Sequence, residues 1–307
     1  MTAAAGCAAL VAFAALGAVG RDAGPAMAGY LGLAHLVLLA GWPALVLGVL
    51  VHRWWLWLPA GLASALDLRA WWTATPIGPV GGGADALRVV TANLFYRNAS
   101  GAASWAIIAA ATPDVVLLQE VSSVSASWLP PAGWHAQVVS RDDDAFGVAV
   151  LTRRAPMACE VIELGGLPQL RVTLRHSGRD IAVWSVHPKA PVTVSADRLW
   201  RRQLAELGDR LAAEGADVVI VGGDVNASPA HPPFAALLTL AGLTDARGPR
   251  RRLGATWPSS WRSWPPIPPR SMALDHVLVR GARVVSVRVL PAAASDHHPL
   301  LVELGLG

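Results

Sequence analysis

Short apolar runs, each followed at once by polar residues, recur along the last two thirds of this 307-residue chain. Val115–Leu118 and Val218–Val221 are typical, because four consecutive apolar residues are the pattern of a strand buried on both faces. Between such runs, Ala102–Ala111 and Ser195–Ala213 place their apolar residues at helical spacing. This mixture of strands and helices predicts an α/β domain that begins near Leu87.

Acids, amides and imidazoles follow these strands, although folding does not require such side chains there. Carboxylates at strand ends can hold a hard divalent cation, and imidazoles beside them can transfer protons or neutralise a phosphate. The pattern therefore predicts a hydrolytic metal site. Six motifs carry these side chains, and in chain order they are Thr91-Ala92-Asn93-Leu94, Leu118-Gln119-Glu120, Ser185-Val186-His187-Pro188, Gly222-Gly223-Asp224-Val225-Asn226, Leu274-Asp275-His276 and Ser295-Asp296-His297-His298-Pro299.

The ordered series of motifs resembles the endonuclease/exonuclease/phosphatase superfamily, which includes pancreatic-type DNases, abasic-site endonucleases, sphingomyelinases and inositol phosphatases. The resemblance covers roughly residues 86–304, and both Gly-Asp-x-Asn and Ser-Asp-His are intact. It implies a DNase-I-like four-layer α/β sandwich, with two mainly antiparallel sheets face to face and helices outside. The active site would lie where strand ends converge at one edge.

The resemblance also implies which residues hold the metal. Glu120 is expected to be the principal ligand of Mg²⁺, with Mn²⁺ as an alternative metal, and Asp296 is expected to support the cation. Asn93 would orient the metal shell or the nucleophile. The alternative role for Asn93 is to cap the turn that follows it.

Catalytic roles are predicted for five further residues. Asp224 and Asn226 are two residues apart, so an extended backbone would aim both side chains to one side. Asp224 suits orientation and deprotonation of the attacking water, and Asn226 suits a hydrogen bond to the nucleophile or the developing charge. By resemblance, Asp275 fixes His297, and the imidazole of His297 stabilises the transition state. His187 is expected to contact a phosphate oxygen or the leaving group.

Substrate contacts are predicted at three positions. Lys189, the only lysine of the chain, could contact phosphate, and a solvated surface position is the alternative. Trp257 and Trp261 belong to a tryptophan- and proline-rich loop, residues 256–270, which could stack on single-stranded bases or lie at a lipid interface. A surface loop that covers a sheet edge is the remaining alternative. The glycines of Gly-Gly-Asp-x-Asn are expected to let the backbone approach the phosphate.

The amino-terminal third carries most of the hydrophobicity of the chain, which is 53% hydrophobic and 15% charged overall. The first 84 residues contain only five charged side chains. Residues 3–20, residues 26–51 and a stretch from Trp54 to Trp72 come close to the ~20 apolar residues that span a bilayer. Residues 1–73 are therefore predicted to form a membrane anchor of about three transmembrane helices. A cleaved signal peptide is the alternative for the first stretch.

Residues 74–85 are rich in glycine and proline and predict a flexible linker between the anchor and a domain at residues 86–307. His52-Arg53 is the loop with an unopposed positive charge, so the positive-inside rule places this loop in the cytoplasm. With three spans, the domain would then lie outside the plasma membrane. The anchor would confine the site to the membrane surface and favour substrates carried by lipids.

Composition separates the candidate partners. The net charge of +4 leaves only 22 basic against 19 acidic residues from residue 85 onward, so nucleic acid is the less favoured partner. Cys7 and Cys159 imply neither a disulfide framework nor a zinc cluster. No pattern in the sequence indicates an oligomeric state.

The predicted function is metal-dependent hydrolysis of a phosphate ester or phosphoanhydride at the outer membrane surface, on a lipid-linked phosphate or pyrophosphate. The combined layout resembles the actinomycete membrane branch of the superfamily linked to teicoplanin resistance, which implies a polyprenyl pyrophosphate or related envelope lipid. A surface-tethered endonuclease and a phospholipid phosphodiesterase are alternative enzymes. A non-catalytic membrane scaffold is disfavoured, because a scaffold would be expected to have lost some of the motif residues.

Overall fold

The computed structural model describes residues 86–306, apart from residues 99, 130, 143, 249–253, 261, 264–265 and 268–269. The predicted anchor, the predicted linker and the predicted substrate contact at Trp261 lie outside the described residues. Within the described part of the chain, no helix has both the length and the apolar character needed to cross a bilayer.

Strands dominate the described part of the chain, and four helices lie between them. The strands are β1 (Ala86–Asn93), β2 (Val115–Gln119), β3 (His135–Val139), β4 (Val148–Thr152), β5 (Ala158–Leu164), β6 (Leu167–His176), β7 (Arg179–Val186), β8 (Val218–Asp224), β9 (Thr244–Asp245), β10 (Arg262–Ser263), β11 (Pro266–Ile267), β12 (Asp275–Arg280), β13 (Arg283–Val289) and β14 (Leu300–Gly305). The helices are α1 (Gly101–Ala110), α2 (Ser123–Ala126), α3 (Val194–Ala212) and α4 (Pro232–Ala241).

Two six-stranded sheets form the centre of the domain. The first has the order β13-β14-β1-β2-β4-β3, and the second has the order β5-β6-β7-β8-β12-β9. Each sheet contains one parallel pair, β1 with β2 and β7 with β8, and its other pairs are antiparallel. The short strands β10 and β11 pair only with each other among the described residues.

Side chains that alternate along the strands divide the core into three apolar layers. Val89 of β1 and Ile220 of β8 lie in the layer between the two sheets. Their neighbours point the other way, so that Val90 packs beneath α1 and Val221 packs beneath α3 and α4. The described residues therefore form a helix–sheet–sheet–helix sandwich, which confirms the predicted four-layer α/β fold for this domain.

Helix α3 shows how the sequence builds one outer layer. Thr193 caps its start, because the Thr193 hydroxyl accepts a hydrogen bond from the Ala196 amide at 3.2 Å. Leu204, Leu207 and Leu211 recur at helical spacing and are fully buried against the second sheet. The apolar stripe thus fixes which face of α3 covers the strands that lead to the site.

The two parallel strand pairs bring four of the predicted site residues to the same edge of the sandwich. Asn93 ends β1 and Glu120 directly follows β2, while His187 directly follows β7 and Asp224 ends β8. The sheets approach closely here, because a Cβ on Gly222 would lie 2.3 Å from a methyl group of Leu117. Strand direction and sheet packing together gather these side chains.

Candidate active site

An amide at the end of β1 binds two carboxylates from different sheets. Asn93 Nδ2 donates to Glu120 Oε1 at 2.9 Å and to Asp224 Oδ2 at 3.1 Å. The Asn93 amide orientation is set by its own oxygen, which accepts from the Phe95 amide at 2.9 Å. The Tyr96 amide donates to Glu120 Oε2 at 3.0 Å. Asn93 therefore links the predicted metal ligand to the predicted base.

Two site residues lie in left-handed backbone, directly after a strand or two residues beyond it. The φ angle is 55° at Glu120 and 51° at Asn226. This conformation costs a residue with a Cβ about 1–2 kcal/mol and is kept where the surrounding structure requires it. Both residues lie at the edge where the acids and imidazoles converge, so the strain coincides with the candidate active site.

A buried acid–imidazole pair joins β12 to the loop before β14. His297 Nδ1 lies 2.8 Å from Asp275 Oδ2, and the His297 amide donates to Ser295 Oγ at 3.0 Å. Burial acts to lower the pKa of His297, but the carboxylates of Asp275 and Asp224 outweigh it and raise this pKa to about 10. His297 is consequently an imidazolium ion at neutral pH, with Nε2 facing Asp224.

Asp224 lies between two imidazoles. Its Oδ2 is 3.6 Å from His297 Nε2 and 3.7 Å from His187 Nε2, and its Oδ1 accepts from the Asn226 amide at 2.9 Å. Burial raises the pKa of Asp224 to about 6, with the neighbouring charges of His297 and Asp275 acting in opposite directions. A carboxylate of that pKa can accept a proton from water near neutral pH.

His187 differs from His297 in its charge. Burial lowers the pKa of His187 and outweighs the attraction of Asp224, so this imidazole is neutral at neutral pH. Its ring packs against Phe146, with ring centroids 5.5 Å apart. The site thus combines one charged imidazole, one neutral imidazole and one carboxyl group of raised pKa, which is a set suited to acid–base chemistry.

The donor set around Glu120 fits a hard divalent cation. Burial raises the pKa of Glu120, and no lysine or arginine of the described residues pairs with this carboxylate. Asp296 is close enough to act on the same pKa by charge repulsion. Carboxylate oxygens of this kind are preferred Mg²⁺ ligands. Among the described residues, however, no three His, Cys, Asp or Glu side chains converge closely enough to form a ready-made metal cage.

Trp257 is hydrogen-bonded to Asp296, one of the predicted metal ligands. Its indole nitrogen donates to Asp296 Oδ2 at 3.1 Å, and its ring lies 6.4 Å from the ring of His297. The Ser259 amide adds a bond of 2.8 Å to the Asp296 carbonyl. The indole N–H therefore holds a carboxylate of the site, while substrate contact by the Trp257 ring stays a prediction.

Three amide side chains, here called the amide clamp, hold the loop after β7: Gln169, Gln203 and Asn226. Gln169 Oε1 accepts from the His187 amide at 2.6 Å, and Gln203 Oε1 accepts from the Lys189 amide at 2.8 Å. Asn226 Nδ2 donates to the carbonyl of the intervening proline at 3.0 Å. Sequence reasoning missed both glutamines, since an isolated glutamine in β6 or α3 resembles an ordinary surface residue. Both are fully buried.

The glycines of the Gly-Gly-Asp-x-Asn motif serve packing. A Cβ on Gly223 would lie 1.8 Å from the Val186 carbonyl oxygen on β7, and one on Gly222 would strike Leu117 in the other sheet. The structure therefore gives these glycines a strand-to-strand and sheet-to-sheet packing role, while the approach of their backbone to the phosphate stays a prediction. The positions of Asp224 and His187 depend on this close approach.

The two extra histidines of the motifs have other partners. His276 Nε2 lies 2.8 Å from the Ala227 carbonyl, and His276 Nδ1 lies 2.9 Å from Asp245 Oδ2 in a fully buried cluster that includes Arg247. His298 Nδ1 lies 2.9 Å from the Leu290 carbonyl. These contacts account for both histidines without a role in the reaction.

The fold and the acid–imidazole cluster are those of a metal-dependent phosphohydrolase. Residues 90–297 match the Endonuclease/Exonuclease/phosphatase family, and the chain belongs to this family. Its members hydrolyse phosphoester bonds with divalent metals, typically Mg²⁺. The family and the enzyme class predicted from the sequence are thereby confirmed. None of the curated proteins compared matches the chain.

Several solved structures share the fold. A humanized TDP2 of D. rerio is 18% identical, has a TM-score of 0.57 and aligns over 72% of this chain and 100% of its own. A family protein from Beutenbergia cavernae is 21% identical, with a TM-score of 0.55 and coverage of 73% and 72%. A mannosyl-6-phosphatase from Bacteroides thetaiotaomicron is 16% identical, with a TM-score of 0.56 and coverage of 71% and 99%. At these identities the likeness shows the fold alone.

Proposed function

We propose that the chain is a membrane-anchored, Mg²⁺-dependent phosphohydrolase that acts by in-line attack of water on a phosphate. The observation that carries this proposal is the position of Asp224 between His187 and His297, with Asn93 donating to the same carboxylate oxygen. One carboxylate oxygen aimed at by two imidazoles and an amide is the arrangement expected at a reacting phosphate. Mn²⁺ is the alternative metal.

Each residue has a distinct part in this reaction. Asp224 orients the attacking water and accepts its proton, which its raised pKa permits near neutral pH. The His297 imidazolium, oriented by Asp275, stabilises negative charge on the phosphate oxygens in the transition state. Neutral His187 hydrogen-bonds a phosphate oxygen or the leaving group. Asn226, which already holds the loop after β7, directs its remaining polar atoms to the nucleophile.

Glu120, Asp296 and Asn93 would hold the cation. When bound, Mg²⁺ supplies positive charge that neutralises the phosphate oxygens and replaces the missing counter-charge at Glu120. The Trp257 indole donates a hydrogen bond to the Asp296 carboxylate, and the Tyr96 amide donates one to the Glu120 carboxylate. These contacts place two carboxylates under the control of neighbouring hydrogen bonds, as metal ligands require.

The proposed substrate is a lipid-linked phosphate or pyrophosphate at the outer surface of the plasma membrane. Support comes from the apolar stretches within residues 1–73, which would tether the domain beside such lipids. The site lies at the far end of β1 from the residue where the domain begins, a distance of about 26 Å for an eight-residue strand. A 12-residue linker reaches about 40 Å when extended, so the site can turn toward the bilayer.

The test is phosphate release from undecaprenyl pyrophosphate by the detergent-purified full-length chain with Mg²⁺, compared with an Asp224→Ala variant. Release that disappears with EDTA and in the variant is the expected result. A wild-type chain that releases no phosphate, yet nicks plasmid DNA or cleaves a phosphodiester reporter, would replace this substrate with the endonuclease or phosphodiesterase alternative. Activity retained by Asp224→Ala would contradict the role given to Asp224.

A further inference from the structure

The side chain of Lys189 is held beside the site by an aromatic ring. Its Nζ lies 4.6 Å from the centroid of the Phe146 ring, and the same ring packs against His187 at 5.5 Å. The amide clamp fixes the backbone at Lys189 through Gln203, which is fully buried. Both ends of this lysine are therefore positioned, which is unusual for a residue type that normally moves freely in solvent.

The Lys189 ammonium forms no ion pair with a carboxylate of the described residues and attracts Asp144 only from beyond ion-pair distance. Among the described residues, no carboxylate lies within ion-pair distance of Nζ, and the nearby Asp144 is already bound by Arg141 at 2.7 Å. A positioned ammonium that forms no ion pair among the described residues is available to bind an anion that arrives from outside.

Contacts place this ammonium next to the reacting centre, outside the cluster around Asp224. Asp224 faces His187 at 3.7 Å, His187 packs on Phe146, and Phe146 carries Lys189. His187 is the imidazole proposed to contact a phosphate oxygen or the leaving group. With His187 on the leaving-group side, an anion bound at Lys189 belongs to the leaving group and not to the phosphate attacked by water.

We propose that Lys189 binds a second phosphate group of the substrate, so that the site selects diphosphates over monophosphates. This inference rests on the proposed function and narrows its substrate class. The oxygen of water forms a bond to the terminal phosphorus, and its proton passes to Asp224. The bond between that phosphorus and the bridging oxygen breaks. The bridging oxygen keeps the electron pair and stays on the monophosphate product, whose negative charge Lys189 neutralises. The terminal phosphorus leaves as inorganic phosphate.

The kinetic test compares a polyprenyl diphosphate with the matching monophosphate, using the detergent-purified full-length chain. Lys189→Met keeps an unbranched apolar side chain beside Phe146 and removes the charge, whereas Lys189→Arg keeps the charge. Arg198→Met is the matched control, because Arg198 is an exposed cation early in α3 without a side-chain partner among the described residues.

Lys189→Met should lower kcat/KM for the diphosphate by roughly 10- to 100-fold, as expected for one lost charge-assisted hydrogen bond. The monophosphate should lose less than about threefold, Lys189→Arg should recover most of the diphosphate activity, and Arg198→Met should change neither. Equal losses on both substrates, or the same selectivity change in Arg198→Met, would overturn the proposal.

A binding measurement separates this inference from the proposed function. Titration calorimetry with inorganic pyrophosphate and with orthophosphate, at one fixed Mg²⁺ concentration, should show that the wild-type chain prefers pyrophosphate and that Lys189→Met loses the preference. Loss of the preference in a chain that hydrolyses neither lipid would support the Lys189 site while the proposed function fails. Equal binding of pyrophosphate by wild type and Lys189→Met would overturn the Lys189 site even if lipid phosphate is released.

Discussion

At the scale of single residues, the site is defined by charged side chains that are buried close to one another. Asp224 and Asp275 lie directly opposite each other on neighbouring strands, and the His297 imidazolium lies within reach of both. Two opposed carboxylates repel, so the pair requires the imidazolium between them. Both pKa values lie above those of exposed side chains, because the carboxylates of Asp275 and Asp224 raise the pKa of His297 and burial raises the pKa of Asp224. Function and stability are therefore expected to oppose each other at Asp224.

Asp224→Asn should abolish most activity and raise thermal stability in EDTA. Activity should fall roughly 10²- to 10⁴-fold, the usual contribution of a general base. Burial raises the folded-state pKa of Asp224 from 3.8 to about 6, so the wild-type domain loses stability as pH rises across that window. The Asp224→Asn side chain does not ionise, so the variant does not lose stability across this pH window. Its Tm should exceed the wild-type Tm at pH 8, and the gap should close below pH 3.8.

The measurement is thermal unfolding followed by tryptophan fluorescence at a series of pH values, together with activity assays. A variant that is inactive but less stable than wild type at pH 8 would contradict the pKa argument. A variant that keeps its activity would contradict the assignment of Asp224 as the base.

Trp257→Phe should weaken metal binding, because phenylalanine keeps a ring and removes the indole N–H that bonds Asp296. The Mg²⁺ concentration for half-maximal activity should rise roughly tenfold, in the range seen when a hydrogen bond to a metal ligand is removed. Direct Mn²⁺ binding should weaken to the same degree. Trp105→Phe is the control, since Trp105 packs with Trp128 and Trp134.

The informative quantity for Trp257→Phe is the metal affinity, measured apart from turnover. A fall in kcat at saturating metal with unchanged affinity would assign Trp257 to substrate contact, as its position in the 256–270 loop first suggested. A matching loss of affinity in Trp105→Phe would point to a general effect of removing an indole.

At the scale of secondary structure, the agreement between sequence and structure depends on how each element is buried. The helix predicted at Ser195–Ala213 forms at Val194–Ala212, because its apolar stripe and threonine cap are both local signals. The predicted strand Val218–Val221 continues through Gly222 and Gly223 to Asp224, since backbone pairing with β7 and β12 does not need apolar side chains. Strand β5 has no matching prediction, because it is an edge strand with mostly exposed residues.

The same reasoning explains which site residues could be found. The strand-end acids and imidazoles lie in short motifs, so the local sequence is enough to predict them. Gln169 and Gln203 act on backbone groups of a loop that is distant in sequence, and only the packing of β6 and α3 brings them there. The link between Trp257 and Asp296 spans 39 residues and likewise has no local signal. Positions that depend on tertiary contacts could not be read from the sequence pattern.

Gly223→Ala should separate β7 from β8 at the site. The added Cβ would lie 1.8 Å from the Val186 carbonyl oxygen, so one strand must shift. Overpacking of this kind destabilises a domain by about 1–3 kcal/mol, and activity should fall because His187 directly follows β7 and Asp224 ends β8. Gly215→Ala is the matched control, because a Cβ at Gly215 meets open space.

Urea unfolding and phosphate release measured on both glycine variants test this argument. Gly215→Ala should match wild type in both measurements. Wild-type stability in Gly223→Ala would mean that the two strands can move apart without cost, and the proposed reason for the second glycine of the motif would fail.

At the scale of the whole molecule, the position of the site relative to the proposed anchor becomes decisive. β1 begins where the domain follows the predicted linker and ends at Asn93, so the site lies at the opposite edge of the sandwich. To act on membrane lipids, the domain must turn so that this opposite edge, about 26 Å from the start of β1, faces the bilayer. Linker length should therefore control activity on lipids and leave activity on soluble substrates unchanged.

Deleting residues 78–83 leaves six linker residues, with an extended reach of about 20 Å, which is shorter than β1. Hydrolysis of a polyprenyl pyrophosphate in vesicles should then fall at least roughly tenfold, while hydrolysis of a soluble phosphomonoester stays at the wild-type rate. Replacing the same six residues with glycine and serine keeps the length and should keep both activities. If the deletion spares lipid hydrolysis, the site reaches the bilayer by another route. If both variants lose lipid hydrolysis equally, the sequence of the linker matters more than its length, and the tether argument fails.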